Sequence, residues 1–161
     1  MLGLGKVKTT AEDLGARLAE WTEAAEDLDR QALDALPKEV DSGIARRELR
    51  YLRVFAIDLA TYQAFGDTPT QKAVLSSFYG MIMLKAELGT GLSMSELDAR
   101  LKRYGEALSE KHHMGPGFTI GKAFSELCGS GTDIQVIMAG SIGFGSTMKA
   151  LGDLLKKIRL S

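Results

Sequence analysis

Near its C-terminal end the chain keeps one apolar rhythm, in steps of three and four, straight across a cluster of glycines. Ile134, Ile137, Ser141, Phe144, Met148, Leu151, Leu155 and Ile158 share a helical phase, and seven of these eight are large and apolar. Between them runs GSIGFGSTMK, residues 140 to 149. Three glycines inside a helix cost about 3 kcal/mol relative to alanine, so a helix here needs close packing to offset them. Ala139, Gly143 and Thr147, spaced four apart, form a ridge of small residues along which a neighbouring helix can approach.

The competing reading is a phosphate-binding loop. Gly140, Gly145 and Thr147 fit three slots of the G-x-x-x-x-G-K-[ST] pattern, but Ser146 stands where the lysine belongs. The dinucleotide pattern fails as well, because the glycines run G-x-x-G-x-G. Ile134, Val136 and Met138 alternate as a strand would, yet a strand there needs parallel neighbours reached by crossovers, and the upstream chain reads as helix. The pattern therefore predicts a packed, glycine-containing C-terminal helix, with a helix kinked or broken between Gly140 and Gly145 as the alternative.

The rest of the chain carries the same signature. Residues 1 to 8 read as a short arm with Lys6 and Lys8, and residues 9 to 161 as one helical domain. Thr9 with Glu12 predicts a capping box and a first helix, along which Leu14, Leu18, Trp21, Ala25, Leu28, Ala32 and Ala35 make a narrow seam ending before Pro37. A second helix is expected from Asp41-Ser42-Gly43 to about Phe65, and a third after Thr68-Pro69-Thr70-Gln71 to about Leu88. Both are apolar nearly all round, as in the middle of a bundle. Past Gly89-Thr90-Gly91, Ser93 with Glu96 predicts a fourth helix to about His113, a short one spans about Ile120 to Leu127, and Thr132-Asp133 caps the last. The expected fold is all-α: a single-domain bundle of five or six helices with buried central helices 2 and 3.

Bulk properties narrow the function classes. A net charge of −1 supplies no global attraction to nucleic acid or anionic membrane. The one cysteine, Cys128, excludes an intrachain disulfide and multi-cysteine zinc patterns and suits a reducing compartment. The first residues lack the apolar run of a signal peptide, and no apolar stretch reaches the ~18 residues needed to span a bilayer, so a soluble, cytoplasmic protein is expected.

Chemistry-bearing residues are few. Glu110 and His113 have the spacing that di-iron bundles use, but His112 and His113 are the chain's two histidines, so a second such motif is absent and no metal site is expected. A Cys128–histidine pair lacks an orienting partner. Nothing points to a cofactor, and no catalytic set can be named. Asp58, inside an apolar stretch, is expected to face Ser76, Ser77 and Tyr79, with a hydroxyl to satisfy it or with a raised pKa suited to acid–base work. Phe55, Asp58, Phe78, Tyr79 and Met81 are the candidate ligand pocket, with plain core as the alternative.

Residues 10 to 36 carry eight acids and two arginines, whereas Arg46, Arg50 and Arg53 share one face of the second helix and are the candidate partner-binding stripe. Pairing of that stripe with the acidic segment inside one chain is the competing reading, and nothing else signals nucleic acid. The function expected is a helical interaction or scaffold protein that self-associates or docks a protein partner. The alternatives are a module for a small apolar ligand and an enzyme resting on Asp58.

Overall fold

The computed structural model describes residues 5–89 and 92–161. Residues 1 to 4 of the expected arm, and Thr90 and Gly91 of the expected glycine break, lie outside the described residues. The chain is mostly helical: α1 (Ala11–Ala24), α2 (Glu26–Asp34), α3 (Ser42–Phe65), α4 (Pro69–Glu87), α5 (Met94–Ser109), α6 (Pro116–Leu127) and α7 (Ile134–Lys156). Two three-residue strands, β1 (Val7–Thr9) and β2 (Ile158–Leu160), pair in parallel with Val7 opposite Ile158 and Thr9 opposite Leu160. The pair departs from the all-helical expectation and takes Ile158 out of the last helix's rhythm.

Several helix starts follow their capping residues. Asp41 accepts from the amides of Gly43 and Ile44, Thr68 from Gln71 with Pro69 at the first helical position, and Asp133 from Gln135 and Val136. Three starts differ. Thr10, not Thr9, caps α1 by accepting from the Asp13 amide at 3.1 Å, because Thr9 belongs to β1. Ser93 makes no side-chain cap bond, its hydroxyl lying 3.1 Å from that of Ser95, and both the Glu96 carboxylate and the Ser93 amide of the expected capping box are taken up by Tyr51. The short helix α6 begins at Pro116, four residues before the expected Ile120, behind Gly115 at φ 86°.

The expected first helix is two helices, which raises the count to seven among the described residues. At the break Ala25 adopts φ −87°, ψ 35°. Just before it Thr22 Oγ1 donates back to Leu18 O, and Arg53 of α3 donates from Nε to the Thr22 carbonyl at 2.8 Å. That carbonyl is thus engaged from outside the helix, at the turn where the chain changes direction.

Helix α3 is the axis of the fold and touches α1, α2, α4, α5, α6 and α7. From Glu48 to Ile57 every residue except Arg50 is buried. Helices α1 and α4 form one close pair, and α6 and α7 the other. The second pair settles the glycine question. Helix α7 is continuous through residues 140 to 149, with Gly140 against the Phe124 ring and Gly143 against Leu49 of α3 and Ala32 of α2. Ala139, Gly143 and Thr147 are all buried.

Helix α4 departs from the expectation of a buried central helix. Its buried residues are Gln71, Val74, Phe78 and Ile82, a single stripe. That stripe seats against α1, where a Cβ on Gly15 would collide with the Val74 carbonyl. The opposite side is left uncovered by any described residue. No helix of the described residues is long and apolar enough to cross a membrane.

Candidate functional site

The residues expected to line one pocket are brought together only in part. Phe55 lies in the core, its ring tilted 35° to that of Tyr104 at 5.6 Å and 33° to that of Phe144 at 6.4 Å. Phe78 is fully buried on the α1 side of α4, beside Tyr79, and Met81 packs against the same core. Asp58 and Tyr79 do meet: the tyrosine hydroxyl donates to Asp58 Oδ2 at 2.5 Å, joining α3 to α4. Burial, followed by the charge of Asp58, pushes the Tyr79 phenol above its ordinary range. The carboxylate therefore has a committed donor, and no described cavity is lined by these five residues.

The arginines part company as well. Arg46 is exposed and lines a shallow charged groove with Asp27, Arg30, Leu33 and Asp34. Arg50 reaches Glu23 of α1 at 3.2 Å. Arg53 is 2% exposed and grips Asp29 of α2 with both terminal nitrogens, at 2.6 and 3.2 Å. The basic face of α3 thus meets the acidic segment within the chain, and Arg53 is a buried strut unavailable to an outside partner.

A second polar cluster joins α3, α5 and α6. Glu48, fully buried, accepts from Arg100 Nη2 at 2.6 Å and from its Nε at 3.2 Å. The same guanidinium lies 5.2 Å from the centre of the Tyr51 ring, a cation–π contact. Tyr51 donates to Glu96 at 2.6 Å and accepts from the Ser93 amide at 3.2 Å. The hydrogen bond from Tyr51 holds the Glu96 carboxyl below its usual range. Burial, with the Glu96 bond second, pushes the Tyr51 phenol up to about 12. Nearby, burial and the Glu48 charge push the Cys128 thiol up to about 12 and the buried Tyr104 phenol well above its ordinary range.

Nucleophilic chemistry needs a thiolate and a free base. Here the thiol is held protonated and the carboxylate is tied to Arg100, so the cluster acts as a joint. The inward charge of Glu48 was its available sequence signal; its partner, 52 residues on, was not readable. The histidines sit beyond α5, with the His112 ring stacked between His113 at 4.3 Å and Phe118 at 4.5 Å and its Nδ1 accepting from the Met114 amide.

Two surfaces remain. The first is the outer side of α4, where Ala73, Ser76, Gly80, Met83 and Leu84 are exposed in helical phase. Met83 and Leu84 are each 48% exposed and Leu88, just past the helix, 70%. No charge lies between Lys72 and Lys85, and Lys85 turns to Glu23 of α1 at 3.2 Å. A Cβ placed on Gly80 meets no atom within 4 Å. The second is a groove of about 290 Å³ between the last turns of α3 and α7, lined by Ala60, Ala64, Met148, Gly152 and Leu155 with Gln63 and Lys156. No family model matches the chain, and neither a curated protein nor a solved structure matches it.

Proposed function

We propose that this chain is a helical interaction protein whose docking element is the outer face of α4. One observation carries the reading: the stretch of α4 between Lys72 and Lys85, which carries no charge, exposes Met83 and Leu84 beside Ala73, Ser76 and Gly80, and the space at Gly80 is open. Exposed apolar side chains gathered on one element mark surfaces that another molecule covers, and small residues let a helix approach closely. The outward faces of α1 and α5 form the contrast, since they carry Glu12, Asp13, Arg17 and Glu20, and Asp98, Lys102 and Glu106. The proposal replaces the arginine stripe as the contact surface, because Arg53 is buried. A reducing, cytoplasmic setting accords with the single cysteine.

Native mass spectrometry across a concentration series tests it, run on the wild-type chain and on Leu84→Glu. An assembly present in the first and lost in the second supports docking through α4. An assembly that survives Leu84→Glu overturns it, and bare monomer throughout overturns self-association through this face. The α3–α7 groove supports a second reading as a site for an apolar ligand with an anionic end, since Lys156 at its rim has no carboxylate within 4 Å among the described residues. A reproducible adduct on the monomer favours that reading.

A further inference from the structure

The docking face of α4 has an internal symmetry that identifies its partner. Gly80 lies at the centre of the exposed side of the helix. On its N-terminal side the face is small, with Ala73 and Ser76; on its C-terminal side it is large, with Met83, Leu84 and Leu88. The face is bounded by Lys72 at one end and Glu87 at the other. We infer that the partner is a second copy of this chain, packed antiparallel on α4 about a two-fold axis through Gly80; the inference rests on the proposal that α4 is the docking element.

The geometry follows from counting outward from that axis. A residue a given number of positions after Gly80 faces the residue the same number before it in the other copy. Leu84 then lies over Ser76, Glu87 over Ala73 next to Lys72, and Leu88 over Lys72, whereas Ser77, the position opposite Met83, is turned to α1, where its hydroxyl donates to the Glu12 carbonyl. Leu84 meets a small residue, as ridge-into-groove packing favours, and the glycines meet where the helix axes come closest. A parallel arrangement would set Met83 and Leu84 against themselves, Gly80 against Gly80 with no small partner for the large residues, and like charges together at both ends.

Electrostatics favours the same orientation. Glu87 of each copy comes beside Lys72 and the first turn of α4 in the other, where amides carry partial positive charge. Lys72 is free to respond: its 3.5 Å pair with Asp67 has both side chains more than 70% exposed and is weak for that reason. The interface is isologous, so every contact off the axis occurs twice and a single substitution there acts at two places.

The test is a disulfide trap in a Cys128→Ser background. Gly80→Cys is expected to give a cross-linked dimer under mild oxidation, whereas Ala99→Cys on the exposed side of α5 is not. Because the space beside Gly80 is open, the substitution leaves the fold intact, which circular dichroism checks. Separately, Lys72→Glu and Glu87→Lys are each expected to weaken dimerisation about tenfold by sedimentation, and the double variant to restore it. Cross-linking at Gly80 with charge-swap rescue establishes the arrangement. A dimer that Leu84→Glu abolishes but that neither cross-links at Gly80 nor responds to the swap leaves α4 as the docking element and overturns the antiparallel pairing. A monomer at every concentration overturns the second-copy inference, and a dimer indifferent to Leu84→Glu overturns the docking proposal itself.

Discussion

Gly140 in α7 and Gly80 in α4 both sit in mid-helix, yet what faces them differs completely. Opposite Gly140 stands Phe124 of α6, and a Cβ there would lie 2.7 Å from its ring. On the same helix pair Gly121 of α6 faces the Ile137 carbonyl, again with no room for a Cβ. Opposite Gly80 there is no atom within 4 Å. A glycine inside a helix costs about 1 kcal/mol wherever it stands, so the cost is offset at Gly140 by packing within the chain and at Gly80 by nothing inside it. Small residues thus report a close approach, and the neighbour decides whether that approach is internal or awaits another molecule.

The sharpest way to break this comparison is to fill the occupied glycines. Gly121→Ala drives a methyl into the Ile137 backbone, which cannot rotate away, and is expected to destabilise the fold by about 3 kcal/mol in urea unfolding. If it costs nothing, α6 and α7 are not in contact there. A second effect, of similar scale, concerns Cys128, whose amide bonds to the Phe124 carbonyl at 2.9 Å at the end of the same helix.

With its thiol pushed up to about 12, Cys128 should react with a thiol reagent at pH 8 at least a hundredfold more slowly than an ordinary cysteine of pKa about 8.5. Gly140→Ala, by displacing Phe124, should erase much of that protection. The sign for stability follows from the raised value. The thiol's contribution is full below about pH 8.5 and is lost as pH rises toward about 12, because the unfolded chain ionises first. The smallest effect is at the open glycines. Gly145→Ala, also without a neighbour within 4 Å, should add up to about 1 kcal/mol to stability. Gly80→Ala should do the same for a dilute monomer while weakening any assembly built on α4.

Much of the fold could be read before the structure, because helix starts are local events. Asp41, Thr68 and Asp133 sit within three residues of the amides they cap. What could not be read is what distant residues impose. Beside the break at Ala25, Arg53 reaches the Thr22 carbonyl, 31 residues away, and the Ser93 capping box loses Glu96 to Tyr51, 45 residues away. The α4 face was hidden for a related reason. Its apolar residues all round suggested burial, and only the seating of Gly15 against Val74 fixes which side turns inward. Phe55 and Phe78 belong to different sides of the core, and so the expected pocket was scattered.

The parallel pairing of β1 with β2 has a mechanical consequence. Val7 pairs with Ile158 across most of the chain, and the two strands run the same way. Chain segments before Val7 and after Leu160 therefore leave from opposite ends of the ribbon. A force pulling them apart runs along the strands and loads their rungs together in shear, from Val7 N to Lys157 O through Ser161 N to Thr9 O. Antiparallel strands at the same place would open one rung at a time. Six residues thus clamp the whole bundle against extension, and tension applied at the two ends reaches the helices only after this ribbon has parted.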